Sequence, residues 1–195
     1  MVFKTLKNIS PFPIGEKYSN FNEILDVFPD EYTLSDEDIT LLFKAFKLGT
    51  KAHGNQKRKS GEAYFTHCIE VSKQLIRWNM DLSTVIAGLL HDTIEDTDIT
   101  KTILSSEFGD DVSVLVDQVS KLAGIKYRNI EHQQAENFMK MFLSVSKDLR
   151  VIIIKFSDRL HNMRTIEYLP VNKQKRIAIE TRDLYAPLAH RLGMN

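Results

Sequence analysis

The sequence predicts an all-α protein, and three observations predict it. Apolar residues recur at helical spacing in one segment after another. Capping residues and glycines punctuate those segments. The one β-branched run that could be a strand, "VIIIKF", continues into "SDRLHNMRT" with no turn signal and has no apparent partner strand. A chain of 195 residues suits a single domain with a substantial core.

The elements follow in order. The stretch through "NISPFPIGEKYSN" holds Pro11, Pro13 and Gly15 and reads as irregular, and "FNEILDVFP" adds one short helix. Residues 1–34 therefore form an N-terminal extension to a domain spanning 35–195. In "LSDEDITLLFKAFKLGTKAHG", Ser35 with Asp38 three residues later resembles a capping box, and Ile39, Leu42, Phe43 and Phe46 recur at helical spacing, so this is the first long helix. "HGNQKRKSGEAYF" breaks that periodicity with two glycines around a basic cluster and reads as a flexible loop.

"THCIEVSKQLIRWN" and "LSTVIAGLLHDTIED" are two further helices, separated by "NMD". "ITKTILSSEFG" and "DDVSVLVDQVSKLAG" each end at a glycine, the residue on which helices commonly stop. "IKYRNIEHQQ" is a polar connection. "AENFMKMFLSVS", "DLRVIIIKFSDRLHNMRTIEYL" and "NKQKRIAIETRDLYAPLAHRLG" complete the helical patterns.

Composition narrows the function. Apolar residues make up 43% and charged residues 27%, as in a globular protein, and no apolar run reaches the length of a membrane span. "MVFKTLKNIS" lacks the apolar centre of a signal peptide, so a cytoplasmic location is expected. Lys plus Arg equals Asp plus Glu at 26 each, which argues against a surface made to coat nucleic acid but leaves room for a local basic pocket. The single cysteine, Cys68, excludes an intrachain disulfide and a multi-cysteine zinc site.

Within "LLHDTIEDT", four acid-base or ligand-capable groups occupy six residues, more than a helix end needs for capping. His67 begins one helix, His91 and Asp92 end another, and Asp158 lies within a third. Imidazoles with carboxylates suit a divalent transition ion, which ligands from separate helices can enclose in a bundle. Neighbours on a helix point about 100° apart, so His91 and Asp92 can share an ion only near a helix end or with favourable rotamers. Each residue alone also fits a structural role: a core histidine bonded to its surroundings, or an aspartate paired with Arg159 or Arg164.

"YFTHCIEV", "LLHDTIEDT" and "IKFSDRLHNMRT" together resemble the HD phosphohydrolase superfamily, and "HGNQKRKSGEAY" narrows the resemblance to its RelA/SpoT homologue branch, which hydrolyses the alarmone (p)ppGpp. The likeness runs from about Leu41 to the C-terminus, with its motifs in the expected order. It implies an HD-type helical bundle with a metal site between helices. It also implies His67, His91, Asp92 and Asp158 as ligands of one Mn²⁺ ion. His53 and His161 do not match ligand positions, and Cys68 stands where the family usually has proline.

The resemblance further implies Glu95 and Asp96 as the catalytic acidic pair. Arg58 would lie against guanine, with Lys59 and Ser60 also contacting the nucleotide. Asn162 and Thr165 match the remaining nucleotide contacts; with Asp158 they fall at i, i+4 and i+7, on one helix face. The implied reaction releases pyrophosphate from the ribose 3′ oxygen of ppGpp or pppGpp, leaving GDP or GTP. The competing expectations are an HD nucleotidase or phosphodiesterase acting on another nucleotide, and a nucleotide-binding regulatory domain without turnover. "RDLYAPLAHRLGMN" resembles the stretch that, in long family members, leads into a domain synthesising the same alarmone, so a C-terminal synthetase domain is expected in the full-length protein.

Overall fold

The structure is a computed structural model, and it describes residues 19–123 and 148–194. The expected connection and helix over "IKYRNIEHQQAENFMKMFLSVS", and the irregular stretch ending at residue 18, lie outside the described residues. Among the described residues the regular elements are helical, as expected. In chain order they are α1 (Ser19–Leu25), α2 (Asp36–His53), α3 (Phe65–Arg77), α4 (Leu82–Leu90), α5 (Thr93–Asp96), α6 (Lys101–Ala123), α7 (Leu149–Arg164), α8 (Val171–Glu180) and α9 (Ala186–Arg191).

Local chemistry sets most of the boundaries. At the start of α2, Ser35 Oγ accepts from Asp38 N–H at 3.1 Å while Asp38 Oδ2 accepts from Ser35 N–H at 3.0 Å, the reciprocal pair expected from the sequence. Gly109 sits inside α6 at φ 83 and ψ 171, a conformation essentially reserved for glycine, and turns the helix between its two expected halves. "VIIIKF" lies wholly within α7.

Two expected helices are broken. "LSTVIAGLLHDTIED" ends at Leu90 and restarts at Thr93, with the Thr93 hydroxyl donating to the Leu90 carbonyl at 2.7 Å across the break. The last segment contains a π-helical turn, Thr181–Tyr185, in which Ala186 N–H reaches back to the Thr181 carbonyl. The residue after it, Pro187, has no N–H to give and its ring crowds the preceding turn, so a widened turn accommodates it.

The core is built where α3 packs against α4 and α7 and where α4 packs against α6 and α2. Val71, Leu75, Ile86, Leu89, Leu115 and Ile154 are all buried in it. α1 belongs to the same core through Phe21 and Ile24. Gly88 allows α4 to approach α3 closely, since a β-carbon there would collide with Leu75 Cδ1. Two buried hydroxyls add directional ties: Ser72 donates to the Val85 carbonyl at 3.0 Å, and Ser157 to the Val71 carbonyl at 2.9 Å. These ties set the register of α3 against α4 and α7, one turn from His67 and one residue from Asp158.

One guanidinium gathers three helix starts and flanks. Arg150 donates to both oxygens of Asp111 on α6, at 2.6 and 3.0 Å, and to Asp148, the N-cap of α7, at 2.7 Å. It also lies 3.6 Å from Asp81, the N-cap of α4. These hydrogen bonds hold the Asp148 and Asp111 carboxyls below the usual carboxylate range. Arg150→Ala is expected to cost about 1–2 kcal/mol at pH 7, a figure reduced for the partial exposure of the pairs. A carboxyl with a depressed folded pKa stabilises above its unfolded pKa and loses that contribution as pH falls through the folded value. Urea unfolding should therefore separate wild type from variant at pH 7, and the gap should shrink below about pH 4.

Candidate metal centre and nucleotide pocket

The close packing of α3, α4 and α7 brings four distant side chains together. His67 comes from the first turn of α3, His91 and Asp92 from the break after α4, and Asp158 from the middle of α7. Both histidines are buried, at 2% and 1% exposure. His67 Nε2 lies 3.2 Å from Asp158 Oδ1 and 3.8 Å from Asp92 Oδ2, and His91 Nε2 lies 3.0 Å from Asp92 Oδ1. One donor atom each from His67, His91 and Asp158 lies within 4.8 Å of the others. The helix break is what lets adjacent His91 and Asp92 face the same point. Neither Arg159 nor Arg164 claims Asp158: Arg159 pairs with Glu180 and Arg164 donates to Gln74.

Hydrogen bonding on the far side of each imidazole fixes which nitrogen faces the cluster. His91 Nδ1 is 2.8 Å from the Gly88 carbonyl, which can only accept, so Nδ1 carries a hydrogen. Nε2 is left buried with no hydrogen-bond partner, because Asp92 stands close but off its bonding direction. His67 Nδ1 is 2.8 Å from His161 Nδ1, so one of the two must donate. Arg58 Nη1 also approaches His161 Nδ1, at 3.5 Å, and a guanidinium only donates. His161 Nδ1 is thus the acceptor, His67 Nδ1 the donor, and His67 Nε2 offers its lone pair to the cluster. Burial, followed by the neighbouring His67 ring and the charge of Arg58, pushes the His161 pKa down to about 4, which keeps that imidazole neutral.

The carboxylates are fixed in the same manner. Asp92 Oδ2 accepts from the Tyr64 hydroxyl at 2.8 Å, and Asp158 Oδ1 accepts from the Asn162 amide at 2.6 Å. Burial, and then the negative charge of Asp92, raises the Tyr64 pKa, so the phenol remains a donor. Lys155, one turn before Asp158, places Nζ 3.4 Å from Asp158 Oδ2. Burial alone would raise the Asp158 pKa, but Lys155 and His67 outweigh it and hold the carboxyl well below its usual range. His91 does the same for Asp92. Burial opposes charge on His91, yet Asp92 overcomes it and raises its pKa. A divalent ion between these donors would replace that proton. The His67 lone pair, the buried His91 Nε2 that no hydrogen bond satisfies and two ionised carboxylates together fit a divalent metal.

The basic loop stands beside this centre. Read from sequence as flexible, it is tied by an antiparallel bridge between Lys57 and Ala63 and by the Arg58 N–H donating to the Glu62 carbonyl at 2.9 Å. Gly61 makes the turn at φ 92. Arg58 Nη2 donates to Asn162 Oδ1 at 2.9 Å and approaches Thr165 Oγ1 at 3.4 Å, so these three expected residues meet. Lys59 is exposed, and the Ser60 hydroxyl donates instead to Glu62 at 3.1 Å. Glu95 and Asp96 are exposed on α5, just after His91 and Asp92. Partial burial raises the Glu95 pKa; Lys155 opposes this, and the charges of Asp92, Asp96 and Asp158 reinforce it.

The HD-domain family model matches residues 45–195. The chain belongs to the HD-domain family. Among known proteins, this HD domain is 47% identical over 175 residues to a guanosine-3′,5′-bis(diphosphate) 3′-pyrophosphohydrolase of Vibrio cholerae, covering 90% of this chain and 24% of that protein. It is 42% identical over 178 residues to the bifunctional (p)ppGpp synthase/hydrolase SpoT of Escherichia coli, covering 91% and 25%. It is also 42% identical over 195 residues to a GTP pyrophosphokinase of Myxococcus xanthus, covering 96% and 26%. The chain thus spans about a quarter of the length of these relatives. A solved structure of a metazoan SpoT ortholog, described as hydrolysing ppGpp, shares the fold with a TM-score of 0.63 at 23% identity, over 78% of this chain and 86% of that one. No described helix is long and apolar enough to cross a membrane.

Sequence reasoning left three contributors without partners. Tyr64, Lys155 and His161 each sit three residues from a ligand candidate, Tyr64 before His67, Lys155 before Asp158 and His161 after it. That spacing is the available signal, since residues three apart share a helix face. Their partners come from elsewhere in the chain as well, and sequence does not reveal those. An ion held only by the native state shifts the unfolding equilibrium, by about 2.7 kcal/mol at a hundredfold excess over Kd. The Tm of metal-stripped protein should therefore rise by about 5–10 °C on adding a divalent ion. Differential scanning fluorimetry should show no such rise in Asp158→Ala; an equal rise would locate the stabilising ion elsewhere.

Proposed function

We propose that this chain is the hydrolase domain of a (p)ppGpp 3′-pyrophosphohydrolase, acting with Mn²⁺ in the cytoplasm. The observation that carries the reading is the meeting of His67, His91, Asp92 and Asp158 beside the Arg58–Asn162–Thr165 cluster. The names of relatives 42–47% identical over nearly the whole chain support the substrate class. The chain's share of those relatives supports a longer bifunctional protein carrying a synthetase domain C-terminal to this one. In our reading the domain spans 35–195, with 1–34 as an extension.

The proposed roles join the geometry to the family resemblance. His67, His91, Asp92 and Asp158 hold the ion. When bound, a divalent ion supplies positive charge to a phosphoryl oxygen and lowers the pKa of a neighbouring water. Glu95, with its raised pKa, takes the proton from the attacking water, and Asp96 helps orient that water. Arg58 offers a planar face to guanine, while Asn162 and Thr165 bond the ribose and base. Lys59 and Ser60, on the same loop, contact the phosphates. Attack at phosphorus breaks its bond to the ribose 3′ oxygen, which takes up the proton the water gave, and the products are pyrophosphate and GDP or GTP.

Metal-free protein should release no pyrophosphate from ppGpp and should do so once Mn²⁺ is added. Turnover on other nucleotides with none on ppGpp would overturn the substrate reading. Glu95→Gln and Asp96→Asn should lower turnover by about 10²-fold or more while most metal stays bound. His91→Ala and Asp92→Ala should lower both, as read by metal analysis of the purified protein. Equal metal loss in both sets would refute the division of roles. Arg58→Lys keeps the charge but loses the fork and the plane, so calorimetric affinity for a nonhydrolysable analogue should fall about tenfold. Unchanged affinity would remove Arg58 from the pocket.

A further inference from the structure

Cys68 follows His67 on α3 and is fully buried. The Gln56 amide donates from Nε2 to the Asp96 carbonyl at 2.9 Å, which turns its Oε1 toward His53 Nδ1, also at 2.9 Å. Oε1 only accepts, so His53 Nδ1 carries a hydrogen and Nε2 is left to accept. Cys68 Sγ lies 3.9 Å from that Nε2, placed to give it the thiol proton. On its other side, Sγ and one donor atom each from His91 and Asp92 all lie within 4.8 Å of one another. His91 contributes a fully buried Nε2 that no hydrogen bond satisfies.

Two donor groups therefore overlap at His91. The first, with His67 and Asp158, offers only nitrogen and oxygen; the second, with Cys68 and Asp92, adds sulfur. Thiolate favours soft and borderline ions, whereas imidazole with carboxylate alone suits harder ones such as Mn²⁺. We propose that Cys68, His91 and Asp92 form a second donor set that binds a thiophilic divalent ion, of the zinc and cadmium class, in competition with the ion used for turnover. Binding breaks the S–H bond, forms a sulfur–metal bond, and passes the proton to His53 Nε2 or to water. No oxidation is involved. Because His91 serves both sets, the two ions exclude one another. The proposal rests on the metal reading given above.

The test uses the full chain, stripped of metal and titrated separately with Cd²⁺ and Mn²⁺. Cadmium is followed by the ultraviolet absorption of a sulfur-to-cadmium bond, and Mn²⁺ by the electron paramagnetic resonance of the free ion. Wild type should show the sulfur band saturating at one equivalent, with Cd²⁺ displacing bound Mn²⁺. Cys68→Ala and the closer-sized Cys68→Ser should lose the band and at least about tenfold in cadmium affinity. Their Mn²⁺ affinity should stay within about threefold. No band in wild type, or unchanged cadmium affinity in whichever variant folds, would overturn the proposal. Failure of the underlying reading looks different: wild type would take up no Mn²⁺, or Asp158→Asn would leave Mn²⁺ uptake unchanged.

Discussion

The structure depends on keeping two carboxylates ionised inside an apolar bundle. Asp92 and Asp158 lie within 4 Å of His67 Nε2, beneath helices whose neighbouring residues are Val71, Leu75 and Ile154. Desolvation favours neutral acids there, and it is the largest single influence on both. What offsets it is His91 for Asp92 and Lys155 with His67 for Asp158, while Tyr64 and Asn162 add hydrogen bonds to the same carboxylates. A cluster held so firmly in its charged form is built around positive charge. The helical core supplies the rigidity, through Gly88, Ser72 and Ser157.

The Arg58–Asn162–Thr165 cluster and the histidine–aspartate centre are joined by a short chain of hydrogen bonds. Arg58 reaches His161, His161 accepts from His67, and His67 turns its free nitrogen to the carboxylates. The basic loop therefore also bears on the tautomer of His67. Asn162 belongs to both sides, since its oxygen accepts from Arg58 while its nitrogen donates to Asp158. A change in the position of Arg58 reaches both the His67 ring and the Asp158 carboxylate. The loop and the buried centre are thereby coupled through side chains only two or three hydrogen bonds apart.

The same compactness makes the composition of the centre sensitive to single substitutions. Cys68 occupies a buried position one residue after a ligand candidate, with His53 on one side and His91 on the other. A side chain without a donor atom would leave only the nitrogen and oxygen set. The surroundings of the site, as much as the ligands, decide which ions it accepts.

Periodicity, caps and glycines determined the helical class, the start of α2 at Ser35 and the turn at Gly109, because these are local effects that the sequence carries within one or two turns. His91 and Asp92 read as a helix end from sequence, but the restart at Thr93 was not legible, since the apolar and polar pattern continues through it. The four ligand candidates were named from motifs, but spacing along the chain says nothing of distance between helices. Tertiary packing alone decided that they meet, which nitrogen of each histidine faces inward, and that Asp158 belongs to His67 rather than to Arg159. Those outcomes depend on residues up to 103 positions apart competing for the same hydrogen-bonding groups, a competition resolved only once the core has closed around them.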